Sequence, residues 1–134
     1  MTSDPGQLES SIRHGLEETD AELLVLFGSH AKGRASRRSD VDLALMGPDS
    51  VDLDRWRGVL APLFGTGRLD LVDLRHAPPL LAYEVARTGR PLFERRPGTF
   101  RTFQSLAARR YADTTKLRTA QRRAIQVFLA QRGL

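Results

Sequence analysis

The stretch Leu24–Leu45, LVLFGSHAKGRASRRSDVDLAL, contains the pattern that decides the fold of this chain. Its first apolar run ends at Gly28 and Ser29, and a second apolar run, after a gap of ten residues, carries Asp40 and Asp42. Side chains alternate between the faces of a strand, so both carboxylates point the same way, about 7 Å apart. Carboxylates this close repel each other unless a cation lies between them. The spacing therefore predicts a site for a hard divalent ion such as Mg²⁺.

The pair Gly28 and Ser29 predicts a place for phosphate beside that ion. If a helix starts at Ser29, its free N–H groups and the positive end of its dipole face any anion there. Gly28 lets the backbone approach closely, and the Ser29 hydroxyl can donate to a phosphate oxygen. Taken alone, a plain turn or a solvated strand face would explain either signal. Their combination at one spacing should arise by chance in well under ~1% of chains this long.

A third acid would complete a two-ion site, in which one ion activates the attacking oxygen and the other stabilises the leaving pyrophosphate. Asp70 lies between Leu69 and Leu71 on the third predicted strand, in the same apolar–acid–apolar setting as Asp42. Asp73 is the competitor, and strand parity places it on the opposite face. We therefore prefer Asp70.

Basic residues between the turn and the acid pair could neutralise phosphate charge: Lys32, Arg34, Arg37 and Arg38. Each of them alone is equally typical of an ordinary surface. The three histidines form no spaced cluster, so the sequence predicts no histidine ligation of a metal. His30 is the one nearest the predicted phosphate site, and we assign it no direct role.

The composition is that of one globular domain. The 134 residues are 40% hydrophobic and 28% charged, and the absence of cysteine excludes disulfides and zinc–thiolate sites. The N-terminus lacks the layout of a signal peptide, and no apolar run reaches the roughly 18 residues that cross a membrane. We therefore expect a cytoplasmic protein without membrane contact.

The charge is unevenly distributed along the chain. Residues 95–134 contain ten Arg or Lys and one acid, a balance of +9, whereas residues 1–94 carry a balance of −4. A basic tail of this kind contacts nucleic acid, binds an acidic partner protein, or is only a solvated helix face. The sequence leaves these three alternatives open.

Apolar spacing predicts helices over 5–18, 49–63 and 78–88, strands over 21–27, 40–46 and 68–74, and an extended piece at 91–94. The buried positions expected in the second helix are Val51, Trp56, Val59, Leu60 and Leu63. From Gly98 onward the pattern is helical, and Asp113-Thr114-Thr115 could divide it in two. One helical face of this tail is marked by Phe100, Phe103, Ala107, Tyr111, Thr114, Leu117, Gln121, Ala124, Ile125 and Phe128.

This order of elements predicts an α+β fold, a small β-sheet covered by helices. We expect a single domain over 1–134, with a catalytic core at 1–97. Basic amphipathic helices over 98–134 form its C-terminal tail.

The motif resembles the signature of the DNA polymerase beta nucleotidyltransferase superfamily, in particular its minimal members. That signature is Gly-Ser, a gap, Asp-x-Asp and a later acid on a neighbouring strand. It is matched by Gly28, Ser29, Asp40, Asp42 and Asp70. The phrase LDLVDLRHAPPLLAYEVARTGRPLFE and the arginine-rich tail look like the MntA-type antitoxins. These are minimal nucleotidyltransferases encoded beside a toxin with a HEPN domain, a helical RNase fold.

The resemblance implies a polymerase beta-like α+β fold whose small β-sheet is mixed. It also implies transfer of AMP from ATP to a tyrosine hydroxyl of a HEPN toxin, with which the chain would form a hetero-oligomer. It implies that Asp40 and Asp42 bind two Mg²⁺ ions and that Asp70 completes the metal site and acts as base. Gly28 and Ser29 would hold the β- and γ-phosphates. The toxin signature, an arginine followed five to seven residues later by a histidine, is absent. The chain is therefore not the nuclease.

Two other functions stay open at this level. A non-catalytic antitoxin could neutralise its partner by occlusion, and the apolar, basic tail favours a sizeable interface. A nucleotidyltransferase acting on an antibiotic or an RNA end is the other alternative, although 134 residues leave little room for a further substrate-binding region. Direct nucleic-acid binding is possible and not favoured.

Overall fold

The computed structural model, which describes residues 5–31, 33 and 40–133, contains one four-stranded sheet. In chain order its strands are β1 (Leu23–Phe27), β2 (Val41–Met46), β3 (Leu69–Asp73) and β4 (Arg90–Glu94). Across the sheet they lie in the order β3-β2-β1-β4. β1 pairs antiparallel with β2 and β4, while β2 and β3 are parallel. The mixed sheet is therefore confirmed, and the extended piece predicted at 91–94 is its edge strand β4.

Helices cover the sheet in the described ranges: α1 (Pro5–Leu16), α2 (Gly28–Ala31), α3 (Leu53–Phe64), α4 (Pro79–Thr88) and α5 (Thr99–Ala130). A 3-10 turn joins β3 to α4. α1 ends two residues before the predicted position 18, and Asp4, whose residue type often caps a helix, lies outside the described residues. No helix in the described part of the chain combines the length and apolarity needed to span a membrane.

The sheet separates two apolar cores, because successive strand residues point to opposite faces. Leu43 and Leu71 belong to the core under α1 and α3, whereas Ala44 belongs to the core under α4 and α5. Asp42 and Asp70 share the parity of Ala44, so they lie on the sheet face that α4 and α5 cover. The α+β fold predicted from the sequence is confirmed, with all three acids near one end of the sheet.

α3 begins at Leu53, later than the predicted start at Asp49. The reason is a local cap: Asp52 is extended, and its carboxylate accepts a hydrogen bond of 3.2 Å from the Arg55 N–H. Gly65 ends the helix in the left-handed conformation, at φ 67°. Of the five positions expected to be buried, Trp56 and Leu60 are buried, and the other three pack partly against the same core.

α5 is one continuous helix of 32 residues, so the division expected at Asp113-Thr114-Thr115 does not occur. The Thr114 and Thr115 hydroxyls donate to the Tyr111 carbonyl at 2.8 and 3.1 Å, which satisfies both within the helix. No glycine or proline interrupts residues 99–130. The predicted apolar face is buried only at Phe100, Phe103 and Ala107, because the rest of the helix extends beyond the sheet.

Candidate active site

The site begins where β1 turns into α2 at Gly28. This residue has φ 73°, in the left-handed region that glycine adopts without strain. A Cβ built on Gly28 would overlap the Asp42 Oδ2 atom and lie 3.1 Å from its Cγ. The turn therefore lies directly against the Asp42 carboxylate, and glycine is needed both for the backbone angle and for the space.

Asp42 and Asp70 are neighbours across the parallel pairing of β2 and β3, which aligns their Cα atoms. Their carboxylates are close enough for the charge of Asp70 to act on Asp42, and two like charges at this distance disfavour the ionised form. Burial raises the pKa of Asp42 above its ordinary value. The negative charge of Asp70 and its hydrogen bond raise that pKa further. These two acids are therefore held together against their mutual repulsion.

Asp40 and His30 act on the same carboxylate. The charge of Asp40, exposed immediately before β2, also raises the pKa of Asp42, whereas His30 lowers it. The structure thus gathers Asp40, Asp42, Asp70 and His30 beside Gly28. Sequence reasoning gave His30 no role, although its position two residues after Gly28 was the available signal.

Asp73, the competitor for the third acid, lies elsewhere. One of its oxygens accepts hydrogen bonds from the Val51 N–H at 3.3 Å and from His76 Nδ1 at 3.0 Å. In the parallel pairing it is aligned with Leu45, whose side chain lies in the core under α1 and α3. Asp73 therefore fastens the segment before α3, and the structure places Asp70 beside Asp42 instead.

Several predicted residues fall outside this description. The side chain of Ser29 is not described, so its expected bond to phosphate stays a prediction. Lys32, Arg34, Arg37 and Arg38 lie outside the described residues altogether. Of the predicted phosphate-binding pair, only the position of Gly28 against Asp42 is given by the structure.

The three carboxylates suit a hard cation in their chemistry. Mg²⁺ prefers oxygen ligands and is bound in proteins by one or two carboxylates together with substrate phosphates. Asp42 and Asp70 are neighbours whose negative charges repel each other, and a divalent ion between them would offset this repulsion. No three acidic, histidine or cysteine side chains among the described residues are preassembled around an ion position. The donor set therefore fits Mg²⁺ as a pair of carboxylates with a third acid nearby.

Comparison with known proteins agrees with this geometry. The family model "Polymerase beta, Nucleotidyltransferase" matches residues 11–97, well over half of the chain. The matched residues include β1, the Gly28 turn, β2 with the acid pair Asp40 and Asp42, and β3.

Individual relatives carry more specific names. The protein adenylyltransferase MntA of Aphanizomenon flos-aquae is 28% identical over 128 residues, which cover 84% of this chain and 83% of that protein. A crystal structure of a toxin-antitoxin with AMP-PNP superposes with a TM-score of 0.72 at 28% identity, covering 88% of this chain and 98% of the other. A tri-AMPylated Shewanella oneidensis HEPN toxin in complex with its MNT antitoxin matches with a TM-score of 0.61 at 26% identity, over 95% and 99% of the two chains.

Proposed function

The chain belongs to the polymerase beta nucleotidyltransferase family, and on that premise we propose that it is an antitoxin that transfers AMP from ATP to a tyrosine hydroxyl of a HEPN toxin. The family predicted from the sequence is thereby confirmed. Two similarities support a HEPN toxin as the substrate. One relative is named protein adenylyltransferase MntA, and a similar structure is a complex with an AMPylated HEPN toxin. The observation that carries the proposal is the contact of Asp42 with Asp70 behind the Gly28 turn.

The nucleotide is held by its phosphates at the turn. Gly28 carries no side chain, so the Asp42 carboxylate can lie directly against the turn where β1 ends and where the phosphates would bind. Ser29 follows directly, and its hydroxyl and N–H are the predicted donors to the β- and γ-phosphates. His30 lies close enough to Asp42 to lower the pKa of that carboxyl electrostatically. The α-phosphate is thereby directed toward the acids.

Asp40 and Asp42 would hold two Mg²⁺ ions, with Asp70 completing the site nearest the acceptor. When bound, the ions neutralise the phosphate charge and lower the pKa of the attacking hydroxyl. Asp70 is exposed while Asp42 is half-buried, so Asp70 is the carboxylate that an incoming side chain can reach. We assign to Asp70 the role of base.

The chemical step is one in-line substitution. The tyrosine oxygen forms a bond to the α-phosphorus, the bond from that phosphorus to the bridging oxygen breaks, and pyrophosphate leaves. The tyrosine proton passes to a carboxylate oxygen of Asp70. No side chain of this enzyme becomes covalently modified, so a ternary complex of enzyme, ATP and toxin is required. We place this reaction in the cytoplasm, where ATP is available.

The test is the double substitution of Asp40 and Asp42 by Ala, assayed by the mass of the toxin after incubation with ATP and Mg²⁺. Wild-type protein is expected to add adenylyl groups to the toxin, and the double variant none. Both proteins should show the same circular dichroism. Full transfer by a folded double variant would exclude the mechanism.

A second function, neutralisation by occlusion, is supported by one observation. Large apolar side chains are exposed along the second half of α5, as expected of a surface that binds a protein. The same double variant separates the functions, because an occluding antitoxin would still protect cells from the toxin without adding AMP.

A further inference from the structure

The second half of α5 is a helix without a covering surface. We call residues 112–130 the C-terminal arm; at 1.5 Å per residue it is about 28 Å long. The last buried residue of α5 is Ala107, and every residue from 119 to 130 is exposed. Most helices in proteins are held by tertiary packing, and a helix of this length alone in water is marginal. The arm therefore needs a surface that covers it.

One side of the arm is apolar. Leu117, Ala124 and Phe128 are spaced by seven and four residues, and Ile125 lies beside them, which places all four on one face of the helix. Leu117 and Ile125 are each 59% exposed, and Phe128 is 51% exposed. Five of the seven large hydrophobic side chains exposed in the described residues lie between positions 117 and 129. This concentration is typical of a helix that enters an apolar groove.

The charge of the arm defines the chemistry of that groove. The arm carries one acid, Asp113, and four basic residues, which are Lys116, Arg118, Arg122 and Arg123. None of the ion pairs in the described residues involves the arm. A complementary surface must therefore supply carboxylates around an apolar groove.

Other occupants fit less well. A second copy of the arm would bring like charges together along the shared face, which opposes self-association. Single-stranded nucleic acid binds through aromatic side chains that stack on bases. The arm carries a single aromatic ring, Phe128, and so lacks the series of rings on which successive bases stack. An apolar stripe of Leu and Ile adds nothing to phosphate binding.

We propose that the C-terminal arm is the docking element for the protein that accepts AMP, entering an apolar groove of that protein bordered by carboxylates. This rests on the proposed function for the identity of the partner. Docking through the arm keeps the acceptor attached between transfers, while Asp40, Asp42 and Asp70 perform the chemistry. The arm is thus a determinant of partner affinity and takes no part in catalysis.

The experiment measures binding of the full-length protein to the HEPN toxin encoded beside it, by isothermal titration calorimetry without ATP. The variant Leu117→Ser/Phe128→Ser removes the large side chains at the two ends of the stripe. Leu80→Ser is the matched control, because Leu80 is 56% exposed but lies on α4, outside the arm. We expect the double variant to bind about tenfold or more weakly and the control to bind as wild type does. Unchanged binding by the double variant would overturn the proposal.

A second variant tests the proposal even if the first variant loses helical structure in the arm. Arg122→Glu/Arg123→Glu keeps the apolar stripe and reverses two charges, and it should weaken binding most at low salt. Tighter binding by this variant would contradict an acidic groove. RNA binding that the charge variant abolishes, with toxin binding intact, would also overturn the proposal, as would a dimer of this chain that the double variant dissociates.

Binding without ATP separates this proposal from the proposed function. Wild-type protein that binds the toxin through the arm but adds no AMP supports docking and refutes the transferase. In the transfer assay, the double variant should raise the KM for toxin and leave kcat unchanged. A fall in kcat at saturating toxin would show instead that the arm acts in the chemical step.

Discussion

Single residues set the geometry of the site, beginning with the close approach of Gly28 to Asp42. Replacing Gly28 with Ala should lower transfer about a hundredfold or more, because the new Cβ would displace the Asp42 carboxylate. It should also destabilise the protein by at least the ~1–2 kcal/mol that a left-handed non-glycine residue costs. Activity assays and urea unfolding measure the two effects.

Gly33→Ala is the control for that substitution. Gly33 has φ 69°, close to that of Gly28, but a Cβ there would meet no atom of the described residues within 4 Å. It should therefore share the conformational penalty and keep most of the activity. Equal loss of activity in both variants would mean that backbone strain, and not the contact with Asp42, explains the effect.

The raised pKa of Asp42 predicts a pH-dependent stability. The folded state binds this proton more tightly than the unfolded state, so Asp42 opposes folding above its raised pKa and ceases to do so as the pH falls below the ordinary value of 3.8. Asp42→Asn should therefore raise the free energy of unfolding at pH 7 without Mg²⁺. That gain should shrink as the pH is lowered through the raised pKa. A variant less stable than wild type at pH 7 would contradict the repulsion.

Substitution of Asp70 should affect activity, whereas substitution of Asp73 should affect stability. Asp70→Asn removes the proposed base and should lower kcat about 100-fold or more. Asp73→Ala removes the acceptor of the Val51 and His76 hydrogen bonds, and should cost about 1–2 kcal/mol of stability with kcat unchanged. Steady-state kinetics and thermal unfolding of the two variants are the measurements. The reverse pattern would make Asp73 the third acid.

The sequence was sufficient to favour Asp70, because strand parity and the apolar neighbours of Asp42 are repeated around it. It could not show that His30 acts on Asp42. That placement depends on the turn at Gly28, whose left-handed angle and tight contact with Asp42 are tertiary features.

Among the elements, the end of α1 depends on one side chain from the far end of β4. The Arg95 guanidinium donates to the carbonyls of Ala21, Leu16 and Thr19 at 2.8, 2.9 and 2.7 Å, and to that of Glu17 at 3.3 Å. Arg95→Lys keeps the charge but cannot form the same fork of bonds. It should lower the free energy of unfolding by about 1–2 kcal/mol, as measured in urea. If the variant had the same free energy of unfolding as wild type, water would replace these hydrogen bonds without loss of stability.

Helix boundaries show where element-level prediction fails. The helices predicted over 49–63 and 78–88 end within one residue of those positions, because Gly65 and Gly89 follow their apolar runs and a glycine there is a strong local signal. The predicted start of α3 was wrong, because Asp49 competes with Asp52 for the cap. The division considered within α5 does not occur, because a threonine pair can be satisfied inside a helix. These are competitions between near-equal local alternatives, which spacing alone does not decide.

For the whole molecule, the decisive feature is the parallel neighbour β3, which aligns Asp70 with Asp42 across the sheet. The sequence predicted each strand but not their order; the family resemblance supplied the mixed sheet. Neither the sequence nor the family resemblance predicted how much of α5 is buried, because the spacing of apolar residues marks a face without showing whether anything covers it.

Deleting residues 112–134 should leave the rest of the molecule folded. The buried contacts of α5 end at Ala107, and the stack of Tyr111 on Tyr83, with ring centroids 4.1 Å apart, is retained. The free energy of unfolding should change by less than about 0.5 kcal/mol, while helical circular dichroism falls. Loss of cooperative unfolding in the truncated protein would instead make the arm part of the core.

The decisive measurement is to mix the purified protein with Mg²⁺, α-labelled ATP and the HEPN toxin encoded beside it, and to follow the label. Covalent label is expected on a toxin tyrosine, and Asp40→Ala should abolish it. A toxin that binds this protein yet remains unlabelled would contradict the transfer of AMP and leave occlusion as its means of neutralisation.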